Sequence, residues 1–229
     1  MSNANIRNLA NEYSKNVNNL EILEKLLKTH DKNIISELLP TILNKIESIV
    51  SIDDIKLLIK YGADVNYINY TCECPLLYCC MDPITSIEII EFLIESGANV
   101  NIKSSTGRTP LTCAIRNSNK DDDLKIIKLL IRKGSEINCK NIFDETPLMM
   151  CFKNNKNKLI RYDMIKILLD NKADIYVKND NNENILDIVK DKIDDDKQNF
   201  DIYSLIFNYK NLVNVLHCEY DFNFIYKHL

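Results

Sequence analysis

The densest group of reactive side chains in the sequence is Cys72-Glu73-Cys74 followed by Cys79-Cys80. Four thiolates gathered this closely could hold zinc in a tetrahedron. Three histidines, His30, His217 and His228, could serve as bases or ligands, yet no Ser or Cys stands beside them in a nucleophile motif. Asp121-Asp122-Asp123 and Asp194-Asp195-Asp196 have the charge of a cation or partner site. Carboxylates are equally at home in a solvated loop or in the first turn of a helix, where the dipole favours them. A phosphate-cradling loop needs several glycines in one place, and the chain has four in all, widely separated.

Composition narrows the field further. The chain has 229 residues, of which 45% are hydrophobic and 27% charged, enough apolar material for a folded core. Its formal net charge is −4, so there is no basic footprint of the kind that releases counterions from nucleic acid. No run approaches the ~18 apolar residues of a membrane span, and Met1 to Ser14 lacks the apolar block of a signal peptide. The expectations are therefore no nucleic acid, no membrane, a cytoplasmic location and eight reduced cysteines. No cofactor and no enzymatic activity are expected.

The rare turn-formers are strongly ordered. Pro40, Pro75, Pro110 and Pro147 are spaced 35, 35 and 37 residues apart, and Gly62, Gly97 and Gly134 are spaced 35 and 37. Between these marks, Ile55 to Ile59, Ile89 to Ile94, Ile126 to Ile131 and Ile165 to Leu169 align as short, mostly buried helices. Each runs into a turn, at Gly62-Ala63-Asp64-Val65-Asn66, Gly97-Ala98-Asn99-Val100-Asn101, Gly134-Ser135-Glu136-Ile137-Asn138 and Lys172-Ala173-Asp174-Ile175-Tyr176. Glycine suits the left-handed residue after a helix, proline suits the first helical position, and Thr109 and Thr146 are predicted N-caps. In this register Cys79 falls in the slot of Ala114 and Cys151, a small-residue position where paired helices approach closely. Core packing then accounts for the cysteines; a zinc module on Cys72, Cys74, Cys79 and Cys80 is the competing reading.

A unit of this length that opens with Thr-Pro-Leu and closes with Gly-Ala-x-Val-Asn resembles the ankyrin repeat. The resemblance rests on Thr109-Pro110-Leu111, Thr146-Pro147-Leu148 and the runs at 62–66 and 97–101, and its register extends from about Asp31 to Asp191. It implies an all-α ankyrin-repeat solenoid of about four to five helix-turn-helix units joined by β-turn hairpins, with helical caps. The implied divisions are an N-terminal helical cap over 1–30, repeats within 31–197 (31–66, 67–101, 102–138, 139–176 and a degenerate 177–209), and a C-terminal tail or cap over 210–229. Departures from the pattern fall at Leu39 and Cys74 in the capping slot, Lys172 in the turn slot and Asn184-Ile185-Leu186 in place of Thr-Pro-Leu. Longer links between paired helices are expected over Asn117 to Asp123 and Lys153 to Tyr162.

The resemblance implies a monomeric binding module whose partner, a host or cellular protein, meets turn tips and first helices on a concave face. Carried onto this chain, the family's variable contact positions are Tyr70, Thr71, Glu73 and Met81 around Pro75, then Ser105, Thr106, Arg108, Arg116 and Asn117 around Pro110. Around Pro147 they are Ile142, Phe143, Glu145, Lys153 and Asn154. Ile142 and Phe143 stand out because a purely structural turn prefers Asp, Asn or Ser there; either they meet a partner or Phe143 folds back to seal its neighbour. Repeats of irregular length and a wording rich in Asn, Ile and Lys also resemble the ankyrin-repeat proteins of poxviruses. That likeness implies a host-range or immune-evasion factor in the host cytoplasm. The alternatives are a scaffold or effector of an AT-rich cellular organism, or the substrate-binding part of a ubiquitin-ligase adaptor lacking its F-box.

Overall fold

The computed structural model describes residues 8–12, 20–43, 50–69, 73–82, 84–118, 121–153, 158–190 and 201–210. Helices and turns account for these residues, with no strand among them. The chain forms two units, Met1–Ser135 and Glu136–Leu229.

In the first unit a short helical stretch over residues 8–12 is followed by α1 (Leu20–Lys28), α2 (Lys32–Leu43), α3 (Ile52–Lys60), α4 (Pro75–Met81), α5 (Ile87–Glu95), α6 (Pro110–Asn117) and α7 (Asp121–Arg132). They form two layers: α2, α4 and α6 pack side by side, α1, α3, α5 and α7 do the same, and α2–α3, α4–α5 and α6–α7 pair across. The shared core includes Ile55, Leu58, Leu76, Ile90, Leu93, Leu111, Ile127 and Leu130, all sealed from solvent. Helix α1 docks through Leu23 and Leu27, which are buried, and through Tyr61, whose hydroxyl donates to Glu24 Oε1 at 2.6 Å. That bond, with Lys28 nearby, holds the Glu24 carboxyl below its usual range.

The second unit comprises α8 (Pro147–Lys153), α9 (Lys158–Asp170), α10 (Ile185–Lys190) and a helix over residues 201–210. Here α8 packs against both α9 and α10. Met164, Ile165, Leu168, Ile185, Val189, Ile202 and Ile206 make its interior.

Local chemistry explains where helices begin. Thr109 Oγ1 accepts from the Thr112 amide while Thr112 Oγ1 accepts from the Thr109 amide, a capping box that leaves Pro110 at the first helical position. Thr146 Oγ1 accepts from the Met149 amide. Asn184 replaces threonine without loss: its Oδ1 accepts from the Leu186 and Asp187 amides, and Asp187 Oδ2 accepts from the Asn184 amide. Cys74 makes no side-chain cap hydrogen bond, and α4 opens with Pro75 at its first helical position.

Helix ends are equally regular. Gly62, Gly97 and Gly134 have φ of 94°, 96° and 94°, and the amide after each reaches back to the last turn, as in Ala98 N–H to Leu93 O at 2.9 Å. Lys172 takes the same left-handed conformation, φ 65°, without glycine's freedom. The asparagine closing each Gly-Ala-x-Val-Asn run then brackets the next repeat. Asn66 Nδ2 donates to Gly97 O at 2.9 Å and its Oδ1 accepts from the Asn99 amide at 2.8 Å. Asn101 Nδ2 donates to Gly134 O, and in the second unit Asn138 bonds both Lys172 O and the Asp174 amide. At the next such slot stands Tyr176, which is exposed.

Two expectations are corrected. Pro40 is not a helix-opening proline: it lies inside α2, whose start is set earlier by Asp31 Oδ1 accepting from the Asn33 and Ile34 amides. Its φ suits a helix, but Pro40 has no N–H to offer the Ser36 carbonyl, so α2 carries it at the cost of one ladder bond. The predicted long links are also shorter, because α7 already begins at Asp121 and α9 at Lys158.

Candidate protein-binding surface

Four turns, one before each of α4, α6, α8 and α10, share a single plan. An Asn or Ser side chain accepts from the amide four residues on, while its own amide donates to that residue's carbonyl. The pairs are Asn69 with Glu73, Ser104 with Arg108, Asn141 with Glu145 and Asn179 with Glu183. Left-handed residues turn the tips at Gly107 (φ 71°), Asp144 (φ 56°) and Asn182 (φ 63°). Sequence reasoning missed this side-chain brace, although Asn/Ser at 69, 104, 141 and 179 keeps the register of the prolines. Its effect is to hold the residues between brace and tip in a fixed pose.

In the second unit those residues are Ile142 and Phe143, exposed at 56% and 55%. The Phe143 amide donates to Asn141 Oδ1 at 2.8 Å, and its carbonyl accepts from the Asp180 amide at 3.3 Å. The turn is thus tied at its base and to the following turn, with both large apolar side chains facing water. Glu145 departs from the expectation of a contact residue. It is buried, at 4% exposure, because Asn141 Nδ2 draws its Oε2 into the turn at 3.0 Å. Lys153 closes α8; its side chain, like Asn154, lies outside the described residues.

In the first unit Ser105, Thr106 and Arg116 are exposed, and Glu73, Met81 and Arg108 are half-buried. The charges of Glu73, Arg108 and Arg116 all act on Cys113 of α6. Burial pushes the Cys113 thiol up to about 12 against the pull of Arg108 and Arg116, with Glu73 raising it further. Asn117 braces the link region, its Nδ2 donating to Met81 O at 2.8 Å. Tyr70 and Thr71 lie outside the described residues. Sequence reasoning missed the exposed Ile68, in the slot that Lys103, Lys140 and Lys178 fill elsewhere, and Ile84, the most exposed large apolar side chain among the described residues at 70%. Asp82 Oδ1 accepts from the Ile84 amide and fixes that loop.

The reactive side chains of the sequence find structural places. Cys74, Cys79, Cys80, Cys113 and Cys151 are buried free thiols. Burial raises the pKa of each, opposing the thiolate form that zinc requires. Cys72 lies outside the described residues, and among those described no three His, Cys, Asp or Glu side chains are grouped to hold a metal. His30 Nδ1 lies 2.7 Å from Leu26 O at the end of α1. Asp121 to Asp123 form the first turn of α7; His217, His228 and Asp194 to Asp196 lie outside the described residues. No described helix is long and apolar enough to cross a membrane.

A family model described as "Ankyrin repeats (3 copies)" matches residues 11–104, 49–141 and 84–179. The chain belongs to the ankyrin-repeat family. Ankyrin repeats are protein–protein interaction modules, and this chain is one; members of the family generally bind rather than catalyse. No curated protein matches the chain. Within the ankyrin pattern the braced turns are the fingers between helix pairs, and Ile142 and Phe143 occupy the end of one.

Proposed function

We propose that this ankyrin-repeat chain binds a partner protein through its turn tips and first helices, centred on Ile142 and Phe143. The observation that carries the reading is the exposure of two adjacent large apolar side chains on a turn rigidly tied by Asn141 and by the Asp180 amide. Apolar area left in water is unfavourable, and exposed apolar patches mark interfaces, where rigid aromatic anchors dominate binding energies. In the first unit the proposed contacts are Ser105, Arg108, Arg116 and Glu73, and Tyr70 and Lys153 belong to the proposed set by register. The likeness to poxvirus ankyrin proteins extends the proposal to a monomeric host-range or immune-evasion factor acting on a host protein in the cytoplasm.

An affinity capture from cell cytosol tests it, comparing the natural chain with an Ile142→Ala/Phe143→Ala variant of equal melting temperature. A specific protein retained by the first and lost by the second supports the reading; capture that is unaltered by the double substitution refutes it. Stability separates the roles beforehand. Leu111→Ala, which empties a sealed core site, is expected to cost about 2–5 kcal/mol. Phe143→Ala is expected to stay within about 1 kcal/mol in a urea titration.

A further inference from the structure

We infer that the finger carrying Ile142 and Phe143, with the turn that follows it, accepts a partner segment in which a large apolar residue is flanked by arginine or lysine. This rests on the reading of Ile142 and Phe143 as contact residues and adds the chemistry of what they meet.

Uncommitted charge decides that chemistry. Asp180 stands beside the apolar pair, because its amide donates to the Phe143 carbonyl at 3.3 Å. The other charged groups of the two turns are already engaged within the protein. Lys140 Nζ donates to Asp144 Oδ2 at 2.9 Å and to Lys178 O at 3.3 Å, and Lys178 Nζ donates to Asn182 Oδ1 at 3.0 Å. Glu145 is held by Asn141, Glu183 Oε2 accepts from Asn179 and Asn181, and Asp187 Oδ2 accepts from the Asn184 amide. Asp180 is exposed, and its carboxylate has neither an ion pair nor a hydrogen bond to the described residues.

A partner covering Phe143 must therefore bring its neighbouring side chains against a carboxylate that is still free to pair. An acidic segment meets like charge there, and the ammonium groups of Lys140 and Lys178 are already drawn to Asp144 Oδ2 and Asn182 Oδ1 within the turns. A basic flank pairs with Asp180 at the rim of an apolar contact, where complementary charge sets register and selects partners.

Short synthetic peptides with a central leucine or phenylalanine, flanked by arginine, glutamine or glutamate, provide the probe, with affinities read by fluorescence anisotropy. Arginine-flanked peptides are expected to bind about three- to tenfold more tightly than glutamine-flanked ones, the range of a single rim ion pair, and glutamate-flanked peptides more weakly. Asp180→Asn should remove that preference and leave the glutamine-flanked affinity unchanged, while Ile142→Ala/Phe143→Ala should weaken all three. Circular dichroism melting establishes that each variant is folded. Binding that depends on Ile142 and Phe143 but is blind to flanking charge, or to Asp180→Asn, overturns this inference alone. Binding indifferent to Ile142 and Phe143 overturns the contact assignment beneath it, and no binding by any peptide overturns the segment chemistry proposed here.

Discussion

Ser135 occupies a slot that the other repeats give to Ala63, Ala98 and Ala173. Its hydroxyl is buried and has no hydrogen-bond partner among the described residues. An unpaired buried hydroxyl costs about 1–3 kcal/mol, so Ser135→Ala is expected to stabilise the protein by about 1 kcal/mol or more, read as a higher urea midpoint at unchanged slope. Cys151 illustrates the opposite fit. It fills the small slot held by Ala114, and burial pushes its thiol up to about 12. In the unfolded chain a thiol releases its proton near 8.5. The folded state holds its proton longer, so this contribution is complete below about 8.5 and is lost as pH rises toward 12. Each pH unit in that window removes about 1.4 kcal/mol per such thiol. Between pH 8.5 and pH 10 the natural protein, kept reduced, should lose about 2 kcal/mol more stability than Cys151→Ala, measured as urea midpoints at both pH values. The small-residue slots and threonine caps were legible in the sequence, since one side chain decides each. The burial of Glu145 was not, because it depends on Asn141 turning its amide inward across four residues.

Elements in this chain are set by their ends more than by their interiors. Gly97 has φ 96°, and a Cβ placed there would meet nothing within 4 Å. Gly97→Ala therefore isolates backbone strain from crowding and should cost about 1–2 kcal/mol. Lys172 endures the same left-handed conformation at φ 65°, so Lys172→Gly should gain up to about 1 kcal/mol, less the extra entropy of the unfolded glycine. A differential scan of the two variants tests both signs at once. The glycine spacing read from the sequence located α3, α5 and α7 because a left-handed residue ends a helix wherever it stands. The proline spacing misled at Pro40, since proline constrains φ identically in a first turn and in a helix interior. Only Asp31, in a stretch with neither proline nor glycine, tells where α2 begins. Likewise the extra turn of α9 is carried by Lys158 to Tyr162, polar enough to read as a link.

At the scale of the whole chain, the asparagine brackets decide how firmly successive repeats are joined. Asn66, Asn101 and Asn138 each bond a turn carbonyl of the following repeat, and Tyr176 ends the series. The helix over residues 201–210 has no asparagine at the 176 slot to bracket it and buries Ile202 and Ile206. Its amides are expected to exchange with solvent faster than those of α5 and α7 in native-state hydrogen exchange, by about tenfold or more for each 1.4 kcal/mol of weaker local stability. Tyr176 was legible in the sequence, whereas the bracketing role of asparagine in that slot needed the bonds themselves. The same bracket bears on descent. Both halves of the joint, an asparagine amide and a turn carbonyl, recur in every regular unit, so an in-frame duplication of residues 67–101 placed after Asn101 would bring a donor for Gly134 and an acceptor for its own predecessor. A lineage can thus lengthen or shorten such a gene one whole repeat at a time, with selection acting on the fingers while the joints come ready-made.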